Sequence, residues 1–472
     1  MAREKVEIGD VLPFSEKFVS MRRSILADQV AGCCAALRRI PPLRLAGRVA
    51  GISGLVVDID GLAGHVSVGD RLLLEARDGR GVPAEIVGFR ADLAQAMPFD
   101  ALDGLGPGSA AVQANEPGGG LAVSDGWLGR VLDPLGRPLD GHGALPPGAV
   151  PRPIRVAAPE ATARARLGPR LDLGVRALNC FATCRQGQRL GLFSGSGIGK
   201  STLLSMLARY TQCDMAVLAL VGERGREVRE FLEDDLGPDG LARSVVVVAT
   251  SDAPPLLRRQ AAYAAMTVAE HFRDQGRSVL LLMDSVTRFC LALREIGLSA
   301  GEPPATRGYP PSVFAELPRL LERAGPGLDR PDGTPGQITA LFTVLVEGDD
   351  HNEPVADAVR GILDGHVILD RRIAERGRYP AVDVLRSLSR LAASCLDAEE
   401  VAMLRRARGI LALYEDMADM LRLGAYRAGT DPAVDEAVAL APRIEQVLRQ
   451  EKSERSLMAD SFALLRSALA GS

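Results

Sequence analysis

Nine residues near the middle of the chain constrain its fold more than any other segment. They read SGSGIGKST, from Ser194 to Thr202, and lie between the apolar run QRLGLF and the helical pattern KSTLLSMLARYT. Glycine permits backbone conformations in which successive N–H groups point inward around an anion, and the start of a helix adds partial positive charge. A strand, a glycine-rich loop ending in Gly-Lys-Ser-Thr and a helix, in that order, predict a phosphate-binding loop.

Each residue of this loop has a predicted role. Lys200 reaches phosphate oxygens as a point charge, and Ser201 offers its hydroxyl to Mg²⁺. The common pattern begins with glycine where this chain has Ser194, but the central glycines remain. The alternative, a glycine-rich turn with an incidental lysine, is disfavoured by the order of the elements. The residues expected to surround the nucleotide phosphates are Gly195, Ser196, Gly197, Ile198, Gly199, Lys200, Ser201 and Thr202.

Lysine usage singles out the same loop. The chain has 52 arginines and only four lysines, and Lys200 is the one lysine between residues 18 and 451. An ammonium is a compact point charge, whereas a guanidinium is a planar fork. We therefore predict that position 200 requires the ammonium itself.

Composition argues against several classes of protein. The net charge is −4 and aromatic residues make up 4% of the chain, so no nucleic acid partner is expected. The seven cysteines show no recurring zinc spacing and indicate free thiols in a reducing compartment. No apolar run approaches the ~18–20 residues that span a bilayer, and the first residues do not read as a signal peptide. These features predict a cytoplasmic protein.

The chain divides into four predicted regions. Residues 1–25 have the apolar spacing of a helical leader. Residues 26–115 carry short apolar runs that favour a β-barrel: LRLAGRVAGI, GLVVDI, HVSVG, RLLLEA and AEIVGF. Residues 116–390 begin with turns and then alternate strands with helices, which is typical of an α/β domain with a parallel sheet. Residues 391–472 carry amphipathic helical patterns without strand-like runs.

Two further motifs place carboxylates after apolar strands. SVLLLMDS puts Asp284 at the carboxyl end of a strand, where an acid orders the Mg²⁺ shell in phosphoryl-transfer sites. GERGRE, residues 222–227, follows MAVLALV, and a carboxylate there is suited to orient an attacking water. Charge runs are usually solvated loops that pair internally, so the residues alone leave both interpretations of GERGRE open.

Together with the stretch PAVDVLRSLS at residues 380–389, these motifs resemble the rotary ATPase α/β-subunit family. GERGREVREFLEDDLG, ATSDAPPLLRRQAAY and VEGDDHNEPVADAVRGILDGH are most similar to its type III protein-export branch, to the flagellar members first and the injectisome members next. The resemblance covers about residues 43–472. It implies an N-terminal β-barrel, an α/β P-loop NTPase (RecA-like) domain with a parallel sheet core, and a C-terminal helical domain.

The resemblance also implies roles for residues of the chain's own site. Glu223 matches the catalytic carboxylate, which noncatalytic subunits of the family replace. Arg224 matches an accompanying catalytic position, and Glu227 matches an accompanying position that we place near the metal. Asp284 matches the aspartate of the Mg²⁺ shell.

Two more residues match positions beyond that centre. Tyr379 precedes PAVD and matches an aromatic that stacks on adenine. Arg390 follows the last serine of SLS and matches an arginine finger supplied to the neighbouring subunit's site. Arg386 lies four residues earlier and is interpreted as a solvated arginine on a helix. One chain that carries both Glu223 and Arg390 can build a ring from copies of itself, so we expect a homohexamer.

The resemblance implies a Mg²⁺-dependent ATPase, with ATP as substrate, that drives substrate and chaperone release at a flagellar export apparatus. The implied partners are a coiled-coil stalk protein, a stator-like regulator that docks on residues 1–25, export substrates with their chaperones, and the export gate. The implied location is cytoplasmic and peripheral to the inner membrane.

Four alternatives differ in class or in direction. An injectisome ATPase shares every motif above. A hexameric RNA translocase needs a basic, aromatic-bearing face, which the barrel region does not provide. A noncatalytic nucleotide-binding ring subunit is disfavoured by Glu223. ATP synthesis rather than hydrolysis depends on coupling that the sequence does not encode.

Overall fold

The protein is described here from a computed structural model that covers residue 30 and residues 44–114, 119–329, 335–346 and 353–470. The predicted leader, residues 1–25, lies outside the described residues. Within the described part, no helix is both long enough and apolar enough to cross a membrane.

A closed barrel forms the N-terminal part of the described chain. Its strands follow the spatial order β1-β2-β5-β4-β3-β6, and β6 closes the barrel by pairing with both β1 and β3. Alternation along β1, with Val49 buried and Arg48 exposed, gives the barrel its apolar interior. The strands are β1 Ala46–Ser53, β2 Val56–Asp60, β3 Arg71–Glu75, β4 Gly81–Arg90, β5 Leu93–Pro98 and β6 Ala110–Gln113.

Two details of the barrel differ from the prediction. The HVSVG run forms turns rather than a strand, because Asp70 accepts the Ser67 N–H and Gly69 takes a left-handed φ of 97°. Strands β5 and β6 had no predicted counterpart, since LAQAMP and AAVQ are poor in β-branched residues. Packing inside the barrel rather than local propensity selects these two strands.

A nine-stranded sheet is the core of the next domain. Its spatial order is β19-β18-β12-β17-β15-β13-β14-β8, with β16 on β17, and the pairs from β18 to β8 are parallel. The strands of the domain are β7 Gly120–Leu121, β8 Val131–Leu132, β9 Arg152–Pro153, β10 Arg170–Leu171, β11 Cys184–Arg185, β12 Arg189–Ser194, β13 Met215–Glu223, β14 Ser244–Thr250, β15 Ser278–Asp284, β16 Gly325–Pro326, β17 Gln337–Leu345, β18 Gly365–Leu369 and β19 Val382–Ser389. The predicted fold class, an α/β parallel sheet core with a barrel before it and helices after it, is confirmed.

Helices cover both faces of this sheet. Their bounds are α1 Arg176–Phe181, α2 Lys200–Tyr210, α3 Gly225–Glu230, α4 Gly237–Ala242, α5 Pro255–Arg273, α6 Val286–Ser299, α7 Pro311–Leu321, α8 Pro354–Ile362 and α9 Arg371–Glu375, with a π-helical segment at Phe231–Leu236. One core includes residues of α1, α2 and the C-terminal helices, and the other includes residues of α5 to α8. The central strands are buried on both faces and therefore read as continuous apolar runs.

Three helices form the C-terminal part: α10 Ala398–Arg422, α11 Pro432–Leu448 and α12 Met458–Ala470. Asp397 caps α10, because its side chain accepts the Glu400 N–H while the Glu400 carboxylate accepts the Asp397 N–H. Asp431 caps α11, with its carboxylate accepting the Ala433 N–H.

A buried ion cluster joins the barrel to the sheet domain. Glu85 on β4 is 2% exposed and accepts a hydrogen bond from Arg259 Nη2 of α5 at 2.7 Å. Arg155 Nη2 lies 3.2 Å from the same carboxylate and Arg71 Nε lies 3.5 Å from it. One carboxylate therefore attracts three guanidinium groups at the boundary between the two domains and offsets only part of their positive charge.

Candidate nucleotide site

The glycine-rich loop stands between buried strand β12 and helix α2, as its sequence predicts. Gly197 and Gly199 adopt left-handed φ values of 77° and 86°, which favour glycine. A Cβ added to Gly199 would lie 3.2 Å from ring atoms of Tyr379, so the close approach of this ring also requires glycine. The start of α2 at Lys200 directs its free N–H groups towards this loop.

Lys200 joins the two carboxylates that the motifs place after strands. Its Nζ lies 2.6 Å from Asp284 Oδ1 and 3.3 Å from Glu223 Oε1. All three side chains are at least 87% buried, with exposures of 12%, 6% and 13%. Burial alone would lower the pKa of Lys200, but the charges of Asp284 and Glu223 outweigh burial and hold that pKa above its ordinary value. The cluster is a charged cation-and-carboxylate centre beside a phosphate-binding loop.

Parallel strands explain why these residues meet. In the register of β13 with β15, Leu220 pairs with Asp284, so Glu223 and Asp284 both lie at the carboxyl edge of the sheet. Strand β12 reaches the same edge before it enters the loop. Ligands of open α/β sheets bind at this edge, where the strand ends converge.

Thr343 is a part of the site that the sequence did not reveal. Its buried hydroxyl lies 2.7 Å from Asp284 Oδ1 and 3.2 Å from the Met283 carbonyl oxygen, and its single proton is donated to Asp284 at the shorter distance. A hydroxyl between the two acceptors fixes the orientation of the aspartate. The only available signal was a threonine near the carboxyl end of another parallel strand, β17, which by itself is weak.

Arg288 is the second missed residue. It lies on the first turn of α6, four residues after Asp284, and a Cβ added to Gly222 would come within 3.1 Å of its Cβ. The glycine therefore lets the Arg288 side chain pack against the residue that precedes Glu223. A half-buried cation in this place is suited to contact a bound anion.

The GERGRE segment splits into a buried and an exposed part. Glu223 ends β13 inside the cluster, whereas Arg224 and Glu227 are 77% and 46% exposed and pair with each other at 3.2 Å. The segment enters helix α3 rather than a loop. In the single chain, Arg224 and Glu227 form an exposed ion pair, as expected of a solvated charge run. Glu223 is instead buried beside Lys200, which is the environment expected of a reactive carboxylate.

The described oxygen donors fit a Mg²⁺ ion. Asp284 supplies a carboxylate at the loop, and Ser201 is an exposed hydroxyl on the first turn of α2. Mg²⁺ commonly takes one or two protein oxygens and completes its shell with phosphate oxygens and water. Within the described ranges, no group of three or more His, Cys, Asp or Glu side chains would hold a metal. Glu227 pairs with Arg224 rather than with the Lys200 cluster, so its role near the metal stays a prediction.

A pocket of about 360 Å³ extends from the loop towards the C-terminal helices. Gly199, Thr202 and Tyr379 line one side, and residues 449–452 line the other. The ring of Tyr379 is 44% exposed and lies next to the phosphate loop, as stacking on a nucleotide base requires.

Arg390 lies at the opposite edge of the sheet from the loop. Strand β19 runs antiparallel to β18, with Val382 paired to Leu369 and Ser389 paired to Gly365. Tyr379 therefore precedes the end of β19 that faces the loop, and Arg390 follows the other end, about 25 Å away at ~3.3 Å per residue. Arg390 is exposed there and donates to the Arg360 carbonyl at 3.1 Å. Arg386, interpreted from sequence as lying on a helix, is instead on β19, where it is 49% exposed and pairs with Asp370 and Asp383.

Comparison with known families gives matches to all three parts of the chain. Residues 174–389 match the ATP synthase alpha/beta family, nucleotide-binding domain, and residues 49–114 match the beta-barrel domain of the same family. Residues 396–467 match the T3SS EscN ATPase C-terminal domain.

Individual relatives are similar over nearly their whole length. The flagellum-specific ATP synthase of Caulobacter vibrioides is 55% identical over 91% of this chain and 97% of its own. The type 3 secretion system ATPase of Xanthomonas euvesicatoria is 47% identical over 89% of this chain and 93% of its own. The structure of the assembled ATPase EscN from enteropathogenic E. coli superposes with a TM-score of 0.82 at 37% identity, and its structure with the central stalk EscO gives 0.80 at 37% identity. Each of these two covers 90% of this chain and 100% of EscN.

The family predicted from the phosphate loop, GERGRE and PAVD is therefore confirmed, and the chain belongs to the ATP synthase α/β family, with the C-terminal domain of type III secretion ATPases.

Proposed function

We propose that this protein hydrolyses Mg²⁺-bound ATP at sites shared between copies of itself, and that it energises type III protein export for flagellum assembly. The observation that carries the proposal is that the residues assigned to one site lie in two separate places in the chain. Lys200, Glu223 and Asp284 form one buried cluster beside the phosphate loop, while Arg390 lies at the far edge of the same sheet.

The cluster supplies what phosphoryl transfer needs from the chain itself. On ATP binding, Lys200 exchanges its carboxylate partners for the β- and γ-phosphate oxygens and neutralises their charge. Glu223 is then released to accept a hydrogen bond from the attacking water and orient it. Ser201 and Asp284 would hold a Mg²⁺ ion, which would offset part of the phosphate charge. The half-buried Arg288 supports the phosphates from the Gly222 side.

The position of Arg390 supports the proposal of a ring. A cation about 25 Å from its own loop along β19 cannot stabilise charge at that loop, but it is free to enter a neighbouring copy's site. A heterologous interface that repeats in this way forms a ring when its rotation closes and a filament when it does not. We propose a homohexamer with equivalent interfaces, for which the assembled EscN provides support.

The cellular role rests on the names of the relatives. Full-length similarity to both flagellum-specific ATP synthases and a type 3 secretion system ATPase supports an export ATPase. The flagellar role is proposed from the 55% identity to the relative from Caulobacter vibrioides, since the other flagellar relatives, at 44–46%, do not exceed the 47% of the type 3 secretion system ATPase. The structure of EscN with its central stalk EscO supports a stalk partner, which we propose is a coiled coil. Docking of a stator-like regulator on residues 1–25, contact with export substrates and chaperones, and a position at the export gate beneath the inner membrane complete the proposal.

Two other functions are alternatives to this proposal. An injectisome ATPase has the same chemistry and differs in its export substrates. A noncatalytic ring subunit would bind ATP without turnover, and the buried Glu223 beside Lys200 argues against it.

The first test is the specific ATPase rate as a function of protein concentration, with Mg²⁺ present. A rate that rises with concentration in the wild type and vanishes in Glu223→Gln supports shared sites. Binding of ATP without turnover at any concentration would identify a noncatalytic subunit.

A mixing experiment separates sharing from action within one chain. Glu223→Gln and Arg390→Ala chains are each inactive, but in a mixed ring about a quarter of the interfaces combine an intact Glu223 with a neighbour's intact Arg390. Phosphate release in a single turnover should therefore return to about a quarter of the wild-type amplitude. Arg386→Ala is the matched control, since it removes an exposed arginine from the same strand. No recovery on mixing would place the finger within its own chain.

A further inference from the structure

The wall of the pocket opposite Tyr379 comes from a short non-helical segment of the C-terminal domain. Residues 449–452, here called the strap, lie between the end of α11 at Leu448 and the start of α12 at Met458. They line the 360 Å³ pocket together with the first turns of α2 and the 377–380 turn. Nothing in the loop sequences indicated that a segment some 250 residues later would complete the pocket.

The first half of the strap is fixed to the sheet domain by Gln450. Its N–H donates to the Tyr379 carbonyl at 2.9 Å, so the strap is hydrogen-bonded to the aromatic residue that it faces. Its buried side chain accepts the Arg176 N–H at 2.8 Å and donates to the carbonyls of Gly174 and Glu454 at 2.9 and 2.8 Å. This half of the wall has no freedom to move without breaking four hydrogen bonds.

The second half is held by Lys452, one of only four lysines in the chain. Its Nζ lies 2.6 Å from Asp235 Oδ1 and donates to the Asp234 carbonyl at 2.7 Å. Its own carbonyl accepts a hydrogen bond from Tyr210 Oη at 3.1 Å, at the end of α2. An ammonium can reach a carboxylate and a carbonyl at once from different directions, which suits this site.

The anchor of Lys452 belongs to the element that follows the catalytic carboxylate. Asp234 and Asp235 lie in the π-helical segment 231–236, which continues α3 directly after Glu223 and Arg224. The Lys452–Asp235 pair therefore ties the base side of the pocket to the helix on the phosphate side. Both partners are largely sheltered, with exposures of 35% and 20%, so solvent screens this pair less than a surface pair.

We propose that Lys452 is a positioning residue that holds the strap against the 231–236 segment and thereby sets the affinity of the site for the base of the nucleotide. The inference rests on the proposed nucleotide site but not on the ring or on the export role. Lys452 acts on the shape of the base pocket, so its loss weakens the binding of a nucleotide and leaves the binding of a phosphate chain without a base unchanged.

The experiment uses full-length Lys452→Met and two ligands. KM for ATP should rise about three- to tenfold, and kcat should fall by less than KM rises. The inhibition constant of inorganic tripolyphosphate, which has phosphates but no base, should stay within about twofold of the wild-type value. Arg406→Met is the matched control. It removes a cation from a more exposed pair with Glu436 in the same C-terminal domain and should change neither constant.

A second variant tests the partner. Asp235→Asn should raise KM for ATP by less than Lys452→Met, since the carbonyl contact of Lys452 remains, and the double variant should match Lys452→Met alone. Weaker binding of tripolyphosphate would assign Lys452 to phosphate contact and overturn the proposal, as would additive effects in the double variant. Failure of the proposed function itself is distinguishable, because the wild type would then show no ATP turnover.

Discussion

Replacing Glu85 by glutamine removes one charge and almost no volume from the boundary between the barrel and the nucleotide domain. Two of the surrounding arginines, Arg71 and Arg259, are themselves buried, with side-chain exposures of 12% and 4%. The pKa of Arg71 is lowered to about 10, because burial and, to a smaller extent, the charges of Arg259 and Arg155 outweigh the raising effect of Glu85. The Glu85 carboxylate is therefore the group that stabilises three closely spaced arginines whose positive charges repel one another.

The size of the effect follows from Coulomb's law. With charge centres about 4 Å apart and an effective dielectric constant near 20, each of the three attractions is worth about 4 kcal/mol, or about 12 kcal/mol in total. Desolvation of the carboxylate offsets several kcal/mol of this. In the variant, Arg155, which is 38% exposed, can turn towards solvent, and this reduces the loss of stability further. We expect Glu85→Gln to reduce the free energy of unfolding by about 3–5 kcal/mol, the usual cost of removing one partner of a buried ion pair.

Urea unfolding measures this loss, followed by circular dichroism and by the fluorescence of Trp127, the one tryptophan of the chain. Urea is preferred to a charged denaturant because it does not screen the cluster. Asp78→Asn is the matched control, because Asp78 belongs to the same barrel but is 63% exposed. A loss for Glu85→Gln within about 1 kcal/mol of the control would refute the reasoning.

The pH dependence gives a second check on the same cluster. Burial alone would raise the pKa of Glu85, but the three arginines outweigh it and hold the pKa below its ordinary value of 4.5. The carboxylate therefore contributes stability that is present above pH 4.5 and is lost as the pH falls below it through the lower folded-state pKa. Wild-type protein should lose this part of its stability on acidification, and Glu85→Gln should lack it.

Three other changes test the site and the C-terminal domain. Lys200→Arg should lower phosphate release at saturating ATP by at least about 100-fold, because a planar guanidinium cannot replace an ammonium 2.6 Å from Asp284, and near-normal turnover would contradict that reading of the loop. Thr343→Val should raise the Mg²⁺ concentration for half-maximal activity by about tenfold while Thr343→Ser stays close to wild type, and equal effects of the two would point to packing rather than the hydroxyl. Asp397→Ala should cost about 1 kcal/mol in urea unfolding by removing the cap of α10, whereas an unchanged midpoint would show that the Glu400–Arg170 contact alone holds this end.

The centre of the candidate site could be predicted because its residues follow strands that are recognisable in the sequence as continuous apolar runs. Apolar runs that end in Asp284 and Glu223, and a third that ends in the loop, have to bring their carboxyl ends to one edge of a parallel sheet. Lysine usage added an independent reason to select Lys200.

The missed parts depend on tertiary packing that local patterns do not encode. No sequence pattern marks Thr343. Its hydroxyl lies beside Asp284 only because the strand order places β17 next to β15. The strap residues are polar and lie after a helix, which by itself indicates a surface turn, and only the fold brings Lys452 to Asp235. Strand β5 shows the same limit in the barrel, where closure selects a segment of low β-propensity.

Strand β19 joins the two halves of the proposed site in a way that the motifs alone do not reveal. At one end Tyr379 lies beside Gly199 of the chain's own loop, and at the other end Arg390 is exposed, where we propose that it reaches a neighbouring copy. The eight residues of β19 set the separation of its ends, and the pairing with β18 fixes which end lies at the loop and which face each side chain takes. In the proposed ring, this edge strand would relate the base position of one site to the finger position of the next. Because both ends belong to one short strand, a ring of identical chains needs no further element to repeat the same geometry at each interface.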